Sequence, residues 1–425
     1  MTWEQRYRLR RAARTSLVLW AGVALAAALV AAPVVRWLDR ETGWVLFGFS
    51  PDGARAVLGA LAGSMLTFIV FVLSATLIVV QLASGQSTPR VIALVLESPG
   101  IKFALAVLTF TYAYTLAALG RVEDRVPDLH VSLAVFLSLA CIVVFLMFVQ
   151  RLATDLRPAS LIRLVADRAR QVFDQVYPLP YDPASAEPSV GHTFHSTPTQ
   201  LVEVSGPSGV VMAFGTADLV RLAAEADAVV ELVPQVGDFV AAGDPLIRVV
   251  GGARPLDPAA LRGGVAVGPE RTLRQDPRFV FRILVDIASK ALSPAINDPT
   301  TAVQALDQIE HLLLALGRRH LDDGRAYDRA GKLRLVYGTP NWPDYVILAV
   351  SEVRQFGAGS LQVNRRLQAM LEHLLEALPD DRRPPIREEL ALLGSACDRS
   401  FQDEADRRRA RIADFQGVGG SGSES

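Results

Sequence analysis

The chain has 425 residues, 51% of them hydrophobic, and a formal net charge of −1. Its mean hydropathy of +0.28 is too high for an ordinary soluble protein and too low for one that is membrane throughout. The near-zero charge gives no electrostatic basis for a nucleic-acid partner, and two cysteines, Cys141 and Cys397, make neither a disulfide framework nor a zinc site.

Residues 1–15 form a basic arm, with Arg6, Arg8, Arg10, Arg11 and Arg14. The positive-inside rule keeps such an arm cytoplasmic. Uncharged residues then run from Thr15 to Val35, longer than the apolar stretch of a cleaved signal, so this run is expected to be a retained first span, about Ser16–Val35. A loop carrying Trp37 and Trp44 follows, with aromatics suited to a membrane interface.

The second span lies within Ala56–Pro89, a run without Asp, Glu, Lys, Arg or His. About 20 apolar residues cross a bilayer as a helix. Gly59 and Gly63 have the four-residue spacing that lets helices approach closely in lipid. Ser64, Thr67, Ser74 and Gln81 fall within about 100° of one another on the helix surface. Such a stripe is either glue between helices or the lining of a polar path for an ion or small solute. Both readings make this the central, buried helix.

The third span is predicted over Phe103–Gly120, with hydroxyls at Thr109, Thr111, Tyr112, Tyr114 and Thr115. Arg121–His130 makes an outer loop, and Val131–Val149 the fourth span. Arginines Arg151, Arg157, Arg163, Arg168 and Arg170 crowd the exit, which places both termini inside. None of the spans has an Asp, Glu, Lys, Arg or His at its middle, which argues against a carboxylate-driven proton pump.

Residues 151–196 are expected to be an amphipathic connector at the membrane surface and then a linker with Pro178, Pro180, Pro183 and Pro188. His192 and His195 lack a third ligand nearby, so no metal is assigned. Residues 197–265 predict a small β-rich domain. The segment Val229–Leu246, with Gly237-Asp238 and Gly243-Asp244 turns, resembles the half-motif of biotinyl and lipoyl barrel-sandwich domains. Such carriers need a lysine, and none lies between Lys102 and Lys290. The resemblance implies a β-fold and no prosthetic group.

Residues 266–413 are expected to be mostly helical. Arg278, Arg282, Asp286 and Lys290 form a charged ladder at four-residue steps, ordinarily a solvated or salt-bridged face. Asn297, Asp298, Thr300 and Thr301 bracket Pro299 at the start of the next helix. They constitute either a structural cap or a candidate anion or ligand site. A strand over Leu333–Val336 and helices opening at Asn341, over Leu361–Leu378 and over Pro385–Ile412 complete this part. Residues 414–425 make a low-complexity, disordered tail.

Two segments together resemble a known family: Gln81-Leu82-Ala83-Ser84-Gly85-Gln86-Ser87-Thr88-Pro89-Arg90, and Asp286-Ile287-Ala288 with Ala291 to Pro299. In this order they are similar to the bacterial predicted membrane proteins of the domain-of-unknown-function 2254 family, over about Arg6 to Phe415. The resemblance implies an integral inner-membrane protein and brings no catalytic residues. The expected fold class is therefore membrane α-helical, with a four-span N-terminal bundle and a cytoplasmic α+β region made of a barrel-sandwich-like part and a helical part. The expected partners are the lipid bilayer and further copies of the chain, with an unidentified small ion or ligand, no nucleic acid and no cofactor. Two roles compete: an oligomeric channel or passive transporter with a regulatory cytoplasmic domain, and a non-conducting scaffold or sensor. No phosphate loop, nucleophile elbow or metal triad points to an enzyme.

Overall fold

The computed structural model describes residues 2–86, 98–123, 126–155, 157–183 and 197–419. The chain divides into a unit of residues 11–160 and a second unit formed by residues 1–10 together with 161–425.

The first unit holds four helices long and apolar enough to cross a membrane: α2 (Leu17–Thr42), α3 (Pro51–Gln86), α4 (Pro99–Leu119) and α5 (Asp128–Asp155). Ser16 caps α2 by accepting the Leu19 amide at 3.1 Å, and Gly43 ends it in the left-handed conformation with its N–H on the Asp39 carbonyl. The helix passes through Pro33 and runs seven residues beyond the expected end at Val35. At the far side, the Asp128 carboxylate accepts the amides of Leu46, Phe47 and Gly48, and Asp39 accepts that of Leu129 at 2.8 Å. These bonds tie the last turns of α2 and the loop after it to the start of α5.

The central helix of this unit is α4, which corrects the expectation for the second span. More than half of the α4 span is buried (56%), against 28% for α3. Leu105, Leu108, Thr111, Tyr114, Thr115 and Ala118 of α4 are all enclosed, and α4 meets α2, α3 and α5. Among the described residues, α3 buries Ala54, Leu58, Ala62, Met65, Val72, Ala75, Thr76 and Val79. Those positions recur at helical period and so cover one side of the cylinder.

The second unit contains two sheets and a helical layer. Strands β1 (Gln200–Glu203), β2 (Gly209–Phe214), β3 (Ala228–Leu232), β4 (Phe239–Val240), β5 (Pro245–Gly251), β6 (Val265–Gly268), β7 (Arg325–Tyr327) and β8 (Leu333–Tyr337) form one sheet in the order β1-β5-β3-β8-β7 and another in the order β4-β2-β6. Helix α7 (Thr216–Glu225) and the short α8 (Pro258–Arg262) lie among them in sequence. Alternating apolar residues bury Val202, Val211, Phe214, Val230, Leu232, Ile247 and Val249 together with Leu219 of α7. Residues 197–265 do not close on themselves, contrary to the expected boundary: β8 pairs in parallel with β3, Val230 opposite Leu335. The hydrophobic side of β3 is completed by a strand some hundred residues further on, a pairing that no local pattern announces.

The helical layer comprises α9 (Pro277–Ala291), α10 (Pro299–Gly317), α11 (Trp342–Phe356), α12 (Leu361–Ala377), α13 (Arg383–Ser400) and α14 (Glu404–Ala410). Asn341 and Asp344 close a capping box on α11. The single helix expected over Pro385–Ile412 is broken around Phe401–Asp403 into α13 and α14. Helix α6 (Pro158–Val176) belongs to this unit. Its apolar face, with Leu161, Ile162, Val165, Ala169, Val172 and Phe173, is buried in protein and not offered to a membrane surface. Phe173 stacks near Phe281 of α9. The tail is also better held than expected: the Asp414 carboxylate accepts the amides of Gln416, Gly417 and Gly419. The remainder of the expected tail, 420–425, lies outside the described residues.

Candidate functional site

The stripe of the second span is intact as a stripe but faces away from its own bundle. Gly59, Gly63, Ser64, Thr67, Ser74 and Gln81 are all exposed. At 3.6 residues per turn they lie about half a turn around α3 from the buried seam. A side-chain carbon added at Gly59 or Gly63 would meet nothing within 4 Å. Ser64 donates to the Ala60 carbonyl at 2.9 Å and Thr67 to the Gly63 carbonyl at 3.0 Å. Each hydroxyl is thereby satisfied within its own helix, as lipid exposure requires.

The polar interior of the four-helix unit sits elsewhere, between α4 and α5. Tyr114 Oη and His130 Nδ1 are 2.6 Å apart, and both residues are fully buried. Thr111 accepts from the Cys141 thiol at 3.1 Å, and Thr115 donates to the Thr111 carbonyl. The hydroxyl-rich patch on the third span is the sequence signal for this group. His130 escapes sequence reasoning, because its neighbours read as an outer loop, whereas it opens the first turn of α5.

In the second unit the connection between α9 and α10 is a tight, exposed turn. Asn297 has φ +49°, a left-handed conformation that asparagine tolerates better than most residues. Asp298 Oδ1 accepts the Thr301 amide at 3.0 Å, and Oδ2 accepts the Thr301 hydroxyl at 2.6 Å. The amides of Asn297 and Asp298 bond to the carbonyls of Ser293 and Ala291. Three of the four polar residues therefore build the turn and cap. Thr300 is exposed and has no such part.

The charged ladder on α9 links elements. Arg282 bonds Asp286 at 2.6 Å and grips both carboxylate oxygens of Glu352 on α11 at 2.5 and 2.6 Å. This bidentate geometry favours arginine. Arg278 reaches Gln235 Oε1 at 3.3 Å, in the turn before β4. Lys290 occupies the last turn of α9, where a cation complements the helix dipole.

Beside this ladder lies a buried acid that sequence reasoning passes over. Asp276 caps α9, its Oδ1 accepting the Phe279 amide at 3.0 Å. Its Oδ2 is buried without a hydrogen-bond partner, and Arg271 approaches only to 4.0 Å. Burial pushes the carboxyl up to about 6 despite Arg271. Nearby, the hydroxyls of Tyr177 and Tyr345 are 2.8 Å apart. Burial pushes Tyr177 up to about 12 and Tyr345 well above its usual range. Neither phenol is poised to ionise near neutrality.

Among the described residues no three His, Cys, Asp or Glu side chains are grouped to hold a metal ion. His192 and His195, and the inner-end segment Ser87–Arg90, lie outside the described residues.

Comparison with known proteins adds a family and no chemistry. The family described as Predicted membrane protein (DUF2254) matches residues 14–373. The chain is 31% identical over 377 residues to the uncharacterized protein Rv1290c of Mycobacterium tuberculosis, covering 85% of this chain and 72% of that one. The uncharacterized protein Mb1321c of Mycobacterium bovis is similar to the same extent. No solved structure matches the chain.

Proposed function

The chain belongs to the DUF2254 family of predicted membrane proteins, and from that premise we propose that it works as a homo-oligomer in the bacterial inner membrane. In this reading the second spans of neighbouring copies meet along the stripe. They line a passive or gated path for a small ion or solute, and the second unit, on the cytoplasmic side with both termini, regulates it. One observation supports this above others: all six stripe positions are on the uncovered face of α3, with open space over Gly59 and Gly63. Small residues on a lipid-facing helix serve little purpose unless another helix approaches there.

A second reading has its own support. The Ser64 and Thr67 hydroxyls already bond to their own helix, so the stripe needs neither a partner nor a permeant. The protein is then a non-conducting scaffold or sensor anchored by four spans, and the second unit carries the function.

Crosslinking and flux separate these readings. Both native cysteines are buried, so Thr67→Cys gives one accessible thiol. The oligomeric path predicts a crosslinked dimer on mild oxidation in native membranes. It also predicts dye or ion flux from proteoliposomes that Gly63→Leu abolishes. A monomeric Thr67→Cys protein together with silent proteoliposomes would remove the path and leave the scaffold.

A further inference from the structure

The basic arm is not a free arm. Helix α1 (Trp3–Thr15) lays its first two turns against the three-stranded sheet of the second unit. Trp3 and Tyr7, four residues apart and so on one face, stack with ring centroids 5.3 Å apart. Tyr7 is buried together with Met212, Ala213 and Ala266. The seat for Trp3 depends on Gly215, where a side-chain carbon would come within 2.7 Å of the indole. Polar contacts surround the rings. The Glu4 amide donates to the Gly263 carbonyl at 2.9 Å, and Tyr7 Oη lies 3.0 Å from Thr272 Oγ1. Arg6 pairs with Asp218 at 2.9 Å, and Arg8 donates to the Val267 carbonyl at 3.2 Å. The Arg274 guanidinium sits 5.2 Å over the Tyr7 ring.

The placement meets a need of the sheet. Strand β6 is an edge, and an uncovered edge invites pairing with other chains. Arg8 of helix α1 reaches that strand, donating to the Val267 carbonyl. Arg6 and Arg8 add polar contacts around an aromatic centre, so the arm is basic in composition and buries Tyr7 where it binds. Only Ser16 separates α1 from α2, the first span.

We propose that α1 is a non-covalent tether that fastens the second unit to the start of the first span. That unit is then held to the membrane chain at two points, by α1 before the first span and by the covalent connection after the fourth. The sheet β4-β2-β6 is the docking surface, the N-terminal segment is its occupant, and the aromatic pair is the grip. The tether is independent of whether the second spans assemble.

A protease site inserted after Asp155 of the full chain, cut in detergent and pulled down by a C-terminal tag, tests it. The fragment of residues 1–155 is expected to stay with the C-terminal fragment, including in 1 M NaCl, because salt screens the exposed Arg6–Asp218 pair but not the burial of Tyr7. Trp3→Ala/Tyr7→Ala is expected to cut the retained fragment by at least tenfold, with Cys397 still shielded from thiol reagents. Separation of the wild-type fragments overturns the tether. So does equal retention by the double variant. If the double variant exposes Cys397, a synthetic peptide of residues 1–12 added in excess to the cut wild-type protein decides. Release of the membrane fragment supports the tether, and no release overturns it.

Discussion

Asp276 is the residue whose surroundings carry the clearest energetic consequence. Its carboxyl titrates near 6 in the fold because it is buried, against an ordinary value near 4 in the unfolded chain. A raised acid binds its proton more tightly when folded, so this group favours the fold at low pH, and that contribution is lost as pH rises from about 4 through about 6. A rise of that size corresponds to about 3 kcal/mol at most. Asparagine keeps the cap and drops the charge. Asp276→Asn is therefore expected to raise the melting temperature at pH 8 and to flatten the decline between pH 4 and 7, measured by thermal unfolding of the detergent-solubilised protein. A lower melting temperature at pH 8 with an unchanged slope would contradict this assignment. Asn297 gives a second test at the same scale. Its left-handed backbone predicts that Asn297→Gly is silent and that Asn297→Val costs about 1–2 kcal/mol, read from denaturant midpoints. A functional loss on Asn297→Gly, with stability intact, would instead favour the sensor reading.

At the scale of elements, the helices of the second unit are stitched by cross-element charge as well as by apolar faces. Arg282 joins α9 to α11 through Glu352, and Arg366 of α12 bonds Asp307 and Glu310 of α10. The side chains of Arg354 and Glu389 join α11 to α13, nearly excluded from water. Truncating one member of such an enclosed pair leaves the other charge unpaired and costs several kcal/mol. Arg354→Met is thus expected to be markedly destabilising. Arg354→Met/Glu389→Leu is expected to recover much of the loss, as a thermal double-mutant cycle would measure. Equal penalties for the single and double variants would show that the pair contributes packing and not charge. Most of these elements are legible in the sequence. The caps at Asp298 and Asn341, the strand at Leu333–Val336 and the apolar periods of α10 and α12 are local signals, set by residues three or four positions apart. The break in the last long helix is not legible, because no Pro or Gly stands at Phe401–Asp403 to mark it.

For the whole molecule, four spans and an N-terminal helix docked on the C-terminal unit are mutually consistent: an even number of crossings returns the chain to the side it left. Reporter fusions at the two ends should therefore give the same sidedness, and opposite sidedness would refute both the span count and the docking of α1. The candidate stripe belongs to this scale too. Its residues and spacing are readable in the sequence, but the direction it faces is not. Hydropathy is a property of one helix, whereas burial in a bundle depends on which neighbours that helix meets.

By itself the sequence determined that four runs are long and apolar enough to cross a membrane, which residues cap and punctuate the later helices, and which family it belongs to. Those properties follow from run length, local hydrogen bonding and motif order, none of which needs a distant partner. Only the tertiary structure decided that the third span and not the second is the core, and that β3 is completed by β8. It also seated the basic arm on a sheet by two aromatic rings and left an acid buried beside Arg271. Each of these is a contact between segments far apart in the chain. Periodicity states which face of an element must be covered and is silent about what covers it.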